Sequence, residues 1–207
     1  PEEVVPMKIK FALGLGEAVN VSQTLILGFY LNLFLLETAC MEPAYVGAFQ
    51  LLVGVFDTIN DPLIGTLSDR TRSRWGRRRP WILFASVPAG VSYFCMFLTL
   101  GGNDVGQGWK FLYYTLCNFC ITWSITSIQV QIVSLTPELT KNYDERTNLA
   151  LARLGIAAIV GLTAVSIHSS IVQSYPLATR RDGYLVSAGV FGPMITFLSL
   201  AAFAGIK

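Results

Sequence analysis

Six stretches of about twenty or more mostly apolar residues follow one another along this chain, near 11–36, 44–68, 80–100, 110–136, 148–172 and 184–206. Each is long enough to cross a ~30 Å hydrocarbon core as a helix. A backbone in lipid must satisfy its own hydrogen bonds, so such stretches fold as helices and pack as a bundle. Composition agrees: 14% of the 207 residues are charged and 53% are hydrophobic, whereas a soluble domain carries about 25% charged residues. The prediction is an all-α membrane protein. Residues 1–10 form a cytoplasmic N-terminal segment and 11–207 a six-helix transmembrane bundle. Pro43, Pro80 and Asp182-Gly183 punctuate the connections, and Gly102-Asn103-Asp104 marks a turn. The chain opens on Pro1 with no initiator methionine, as a trimmed or partial protein would.

Basic residues set the orientation. Lys8 and Lys10 precede the first stretch, six arginines fall between the second and third, and Lys141 and Arg146 lie between the fourth and fifth. Alternating spans put all three groups on one side, which is then cytoplasmic. Trp75, Trp81 and Trp109 sit at span ends, where interfacial aromatics belong.

Several functions lack support. Cys40, Cys95, Cys117 and Cys120 read as small apolar residues, and the Cys117/Cys120 spacing has no second pair or nearby His to complete a zinc set. No Walker, GxSxG or HExxH sequence occurs, so nothing points to ATP-driven pumping, hydrolysis or an enzyme, and no cofactor or nucleic-acid partner is implied.

The second stretch carries the chemistry. Asp57 and Asp61 stand one helical turn apart inside it. A carboxylate at membrane depth costs at least ~2.5 kcal/mol on insertion scales, and such residues mark ion or substrate paths. Positions 57, 61, 65, 68 and 69 share a helical face, with Asn60 beside it and Pro62 freeing a carbonyl one turn back, near Thr58. These are hard oxygen ligands, suited to Na⁺ or to a proton held by a carboxyl pair. The alternative is structural pairing of one Asp with Arg153, the basic residue inside the fifth stretch.

A basic knot follows, from Asp69 through Arg70, Arg72, Arg74 and Arg77 to Arg79-Pro80. Its plain reading is a positive-inside loop. Its patterning, with Gly65 for close helix packing and Asp69 among several arginines, suits an ion network that locks one conformation and opens in another.

These residues resemble a family. Asp57-x-x-Asn60-Asp61-Pro62-Leu63-Ile64-Gly65, Ser68-Asp69-Arg70-Thr71-x-Ser73-Arg74-Trp75-Gly76-Arg77, Arg79-Pro80-Trp81, Ser134-Leu135-Thr136-Pro137-Glu138-Leu139-Thr140 and Glu145-Arg146-Thr147-x-Leu149-x-x-x-Arg153 are similar to the glycoside–pentoside–hexuronide:cation symporters of the major facilitator superfamily, the relatives of melibiose permease. The likeness covers essentially the whole chain but only the first half of the family's twelve-helix fold. It implies secondary active transport: symport of a sugar or glycoside with Na⁺ or H⁺ by alternating access. It implies that Asp57, Asn60, Asp61 and Thr126 line the cation site, with Arg153 near substrate and cation. Asp69, Arg70, Arg74 and Arg77 would form a cytoplasmic gate, joined by Gly65 and Arg146. The implied partners are a small-molecule substrate, the bilayer, and a C-terminal six-helix half or a larger membrane complex.

Where the sugar branch has an acidic residue and an aromatic in the fourth span, this sequence has Gln129 and Val133. The run from Gly28 to Glu37 looks more like the sodium-dependent lysophospholipid symporters, an alternative substrate class; a non-transporting structural subunit is a third reading. Glu17, Asn20 and Gln23 lie at i, i+3 and i+6 on the first span and are candidate cavity residues. Gln129, one turn from Thr126, is favoured over Gln131. His168 reads as interfacial, Phe111, Tyr113 and Tyr114 as lipid-facing or packing, and Gly155 and Gly161 as points of close helix packing.

Overall fold

A computed structural model describes residues 5–73, 76–100, 105–140 and 142–205. Its six long helices are α1 (Met7–Ile26), α2 (Pro43–Arg70), α3 (Arg79–Met96), α4 (Gln107–Leu139), α5 (Tyr143–Gln173) and α6 (Arg180–Gly205), with no strand among the described residues. The α1 rod continues as two π-helical turns, Leu27–Leu31 and Phe34–Thr38. The predicted fold class stands, and each expected span corresponds to one helix.

Local chemistry explains the ends. Pro43 opens α2 and Pro80 lies in the first turn of α3, where a missing N–H costs nothing. Asn142 caps α5: its Oδ1 accepts from the Asp144 N–H at 3.0 Å, and Asp144 and Glu145 suit the positive end of the helix dipole. Several boundaries differ from expectation, among them the start of α5 at Tyr143 instead of near 148. Helix α3 ends at Met96, α4 runs past Pro137 to Leu139, and α6 already begins at Arg180. Asp182-Gly183 is therefore the first turn of a helix. Gly183 is there for packing, since a Cβ would come 3.0 Å from the Tyr175 ring. The Gly102-Asn103-Asp104 turn, Trp75 and Lys141 lie outside the described residues.

Among the described residues, three helices are long and apolar enough to cross a membrane by length and composition: Gln107–Pro137, Tyr143–Gln173 and Arg180–Gly205. Six were expected. The shortfall lies in α1, α2 and α3. Helix α1 carries Glu17, Asn20 and Gln23, α2 carries Gln50, Asp57, Asn60 and Asp61, and α3 has 18 residues and starts with Arg79. The first two give up hydropathy to polar groups, of which Glu17, Gln23 and Asn60 are buried in the bundle.

Helix α1 packs against α5 and α6, α3 against α4 and α6, and α2 against α4. Small residues allow the closest approaches. A Cβ on Gly161 would lie 2.6 Å from Val21 Cγ1, and one on Gly90 would collide with the Gly192 carbonyl and Thr196. Gly155 has open space instead, so only one of the two expected α5 contacts forms. The core gathers Phe34, Phe97, Tyr114 and Tyr184 edge to face. His168 is fully buried among these rings, not interfacial. Its Nδ1 lies 2.7 Å from Ser187 Oγ, and the Tyr30 ring centroid is 4.7 Å away.

Two sets of contacts tie the bundle ends. At the basic end, Lys10 Nζ meets Glu145 Oε1 at 2.7 Å, and the Val5 N–H donates to the same oxygen at 3.0 Å. There too Arg79 donates to the Phe203 carbonyl at 3.3 Å and lies 4.9 Å over its ring. At the opposite end the chain turns through Cys40 with φ 51°. Buried Lys110 donates to the Ala39 carbonyl at 2.7 Å, Gln107 Nε2 donates to the Cys40 carbonyl at 3.0 Å, and the Glu42 N–H donates to Gln107 Oε1 at 3.2 Å.

Candidate functional site

Helix α2 turns two faces to different surroundings. Asn60, Ile64 and Ser68 are buried in the bundle. Asp57 and Asp61, on the adjoining face, open into a cavity of about 440 Å³. The cavity is walled by α1 and its π-helical continuation, α2 and α4. Helix α1 supplies Asn20, Gln23, Thr24, Leu27, Gly28, Leu31 and Asn32. Helix α2 supplies Phe49, Gln50, Val53 and both aspartates, and α4 supplies Asn118, Thr122, Ile125, Thr126 and Gln129. The α4 residues recur at i, i+4, i+7, i+8 and i+11, one face of a helix.

Thr126 joins the aspartates to α4. Its hydroxyl donates to Asp61 Oδ1 at 3.2 Å. A hydrogen bond to a charged acceptor contributes roughly 1.5–3 kcal/mol. Immediately before Asp57, Phe56 stacks on Phe119 with centroids 4.2 Å apart, so the carboxylate pair is carried on a firmly packed α2–α4 interface. Two carboxylates and a hydroxyl offer hard oxygens, and no Lys or Arg among the described residues lines the cavity. The described residues contain no group of three or more His, Cys, Asp or Glu able to hold a metal ion. The donor set fits a monovalent cation or a proton better than a transition metal.

Other predicted site residues lie elsewhere. Asn60 does not line the cavity: it is 1% exposed, and its Nδ2 donates to the Thr122 carbonyl at 3.4 Å. Ser68 likewise turns inward, donating to the Gly65 carbonyl at 2.9 Å. Glu17 and Arg153 find each other, Oε2 to Nε at 3.7 Å, behind the cavity wall; Arg153 also donates to Thr136 Oγ1 at 3.3 Å. Arg153 therefore pairs with an acid of α1, not with Asp57 or Asp61. Val133 is 42% exposed and does not line the cavity, and Gln131 is fully buried.

The gate candidates stand at the basic end. Asp69 and Arg70 are exposed in the last turn of α2, and Arg146 is exposed in the first turn of α5. Arg77 is exposed just beyond Gly76, whose φ of 92° suits glycine. Arg74 lies outside the described residues. A Cβ on Gly65 would meet nothing within 4 Å, so no helix among the described residues packs closely there. Glu145, beyond the apolar spans, is held below the ordinary carboxyl range, first by its hydrogen bond from Lys10 and then by that from the Val5 N–H.

Sequence reasoning missed Thr24, Asn32, Gln50, Asn118 and Thr122 on the cavity wall. A signal existed: Gln50, Val53, Asp57 and Asp61 recur at i, i+3, i+7 and i+11.

Comparison with known proteins is consistent with this geometry. Residues 13–207 match the family described as MFS/sugar transport protein. An uncharacterised symporter of Synechocystis sp. is 35% identical over 196 residues, 93% of this chain and 35% of that protein. The isoprimeverose transporter of Lactiplantibacillus pentosus is 28% identical over 211 residues, 100% of this chain and 43% of that protein. Sodium-dependent lysophosphatidylcholine symporter 1 of Gallus gallus is 24% identical over 233 residues, 96% of this chain and 43% of that protein. The chain spans less than half the length of these relatives. An all-helical bundle, a carboxylate pair facing a polar cavity and a family match over nearly the whole chain lead to one statement: this is an integral membrane protein of the MFS/sugar transport family, related to symporters.

Proposed function

We propose that this chain forms part of a cation-coupled symporter for a sugar or glycoside, with Asp57, Asp61 and Thr126 holding Na⁺ or H⁺. One observation carries the reading: the Thr126–Asp61 hydrogen bond, with Asp57 a turn away, on the wall of a cavity otherwise lined largely by amides and hydroxyls. A cation between the carboxylates relieves their repulsion and so favours a loaded state over an empty one. Amides and hydroxyls donate and accept, as sugar hydroxyls do. Asn20 and Gln129 are the proposed first sugar contacts. Asn60 holds α2 on α4, and the Glu17–Arg153 pair ties α1 to α5 behind the wall. Alternating access, with a second six-helix half closing the cavity, couples the two ligands, and each then strengthens the other's binding. Asp69, Arg70, Arg74, Arg77 and Arg146 would form the gate at the cytoplasmic end.

Lysophospholipid symport is the second reading, favoured by the Gallus gallus relative. The test is uptake by the intact protein in proteoliposomes, under an imposed Na⁺ or proton gradient. Labelled isoprimeverose, a methyl galactoside and lysophosphatidylcholine are compared, with Asp61→Asn alongside. Gradient-dependent glycoside uptake that falls to background in Asp61→Asn is the expected result. Uptake of lysophosphatidylcholine alone selects the second reading. No uptake of any of them, with the protein co-purifying in a larger assembly, supports a structural subunit.

A further inference from the structure

The amides on the cavity wall are not equivalent. Asn20 Oδ1 accepts from the Thr24 hydroxyl at 3.5 Å, Asn32 Oδ1 accepts from Gln50 Nε2 at 2.6 Å, and Asn118 Oδ1 accepts from the Thr122 hydroxyl at 3.4 Å. Gln129 is half-buried. Gln23 differs from all of these. Its side chain lines the cavity, the residue is 7% exposed, and its Oε1 is sealed from solvent with no hydrogen-bond partner among the described residues. A buried acceptor without a donor costs about 1–3 kcal/mol, and native proteins keep few of them. Gln23 sits between Asn20 and Leu27 on the stripe of α1 that faces the cavity, so a rotation of its side chain brings Oε1 to a donor there.

We propose that Gln23 is a specificity-determining residue whose Oε1 accepts a hydrogen bond from one hydroxyl of the transported sugar. This rests on the sugar-symport reading above. A site with a sealed, waiting acceptor discriminates strongly: a sugar lacking that hydroxyl leaves Oε1 unpaired, whereas the parent sugar satisfies it. The cavity-wall hydroxyls of Thr24 and Thr122 donate elsewhere, to Asn20 and Asn118, and leave this acceptor open to a substrate hydroxyl.

The experiment uses the intact protein in proteoliposomes with isoprimeverose or methyl galactoside, whichever the wild type carries, and the set of its monodeoxy analogues. One analogue is expected to show a KM about tenfold or more above the parent in the wild type, the equivalent of one good hydrogen bond. In Gln23→Met, near-isosteric and unable to accept well, the parent's KM rises by a similar factor and that analogue is no longer disfavoured. Na⁺ binding measured calorimetrically without sugar stays as in the wild type, which separates a sugar contact from a cation ligand. Should Gln23→Met fail to reach the membrane, Gln23→Leu makes the same comparison. An unchanged parent-to-analogue ratio in the variant overturns the assignment of Gln23 alone. A Na⁺ affinity that falls without sugar also overturns it. Wild-type uptake of neither glycoside sinks the sugar reading and this inference together.

Discussion

Thr126 is the residue on which the cation site is most directly weighed. Its hydroxyl reaches Asp61 across the α2–α4 interface at 3.2 Å. Thr126→Val keeps the shape and removes the donor, so the Na⁺ concentration for half-maximal uptake is expected to rise about tenfold, while Thr126→Ser restores most of it. An unmoved half-saturation in Thr126→Val would detach Thr126 from the cation. Asp57 and Asp61 were legible in the sequence because carboxylates in an apolar stretch have few other uses, whereas Thr126 was pointed to only by the family resemblance. Asn60 lies off the cavity wall because its Nδ2 turns to a backbone carbonyl on α4, an acceptor that a list of side chains does not show. The pairing of Glu17 with Arg153 joins residues 136 positions apart and depends on how α1 packs on α5. Glu145 gives a second prediction. Its carboxyl titrates below 4.5 in the folded protein, so the Lys10 contact stabilises fully above that pH and is lost as pH falls through the lowered value. The Tm difference between wild type and Glu145→Gln is therefore expected to be flat above pH 4.5 and to shrink on acidification below it.

At the scale of elements, the α3–α6 crossing is the least tolerant contact. A Cβ on Gly90 would collide with the Gly192 carbonyl and the Thr196 hydroxyl, both fixed by the opposing helix. Gly90→Ala is expected to destabilise by about 1–3 kcal/mol or more, seen as a lower Tm in detergent. Gly155→Ala, with open space around it, is the neutral control. Helix existence was legible from apolar length, and two helix starts from Pro43 and Pro80; the Asn142 cap that opens α5 was not read from the sequence. Nor was the start of α6. Asp182-Gly183 has the composition of a turn, yet Asp suits a first helical turn, and the glycine makes room for the Tyr175 ring of the preceding segment. The two π-helical turns after α1 were not read from the sequence, which runs on apolar from the helix they extend.

For the molecule as a whole, the contacts sort into a basic end and an opposite end. The basic end should face the cytoplasm. Cys40 offers a native probe of this: it is exposed in the corner between α1 and α2, at the end away from the arginines. A membrane-impermeant maleimide added to intact cells is expected to label the wild type and not Cys40→Ser. Labelling only after permeabilisation would invert the topology. The cavity is walled by α1, α2 and α4.

The absence of any Lys or Arg on that cavity wall, among the described residues, has an electrical consequence. With both carboxylates ionised, the emptied site carries two uncompensated negative charges. A carrier that rocks about this cavity must move those charges through part of the transmembrane field, and each full elementary charge crossing 100 mV is worth about 2.3 kcal/mol. One bound monovalent cation halves that charge. In the proposed transport cycle, voltage would then act on the loaded and the empty states by different amounts, and the resting potential of the host membrane would help to decide which leg is slow.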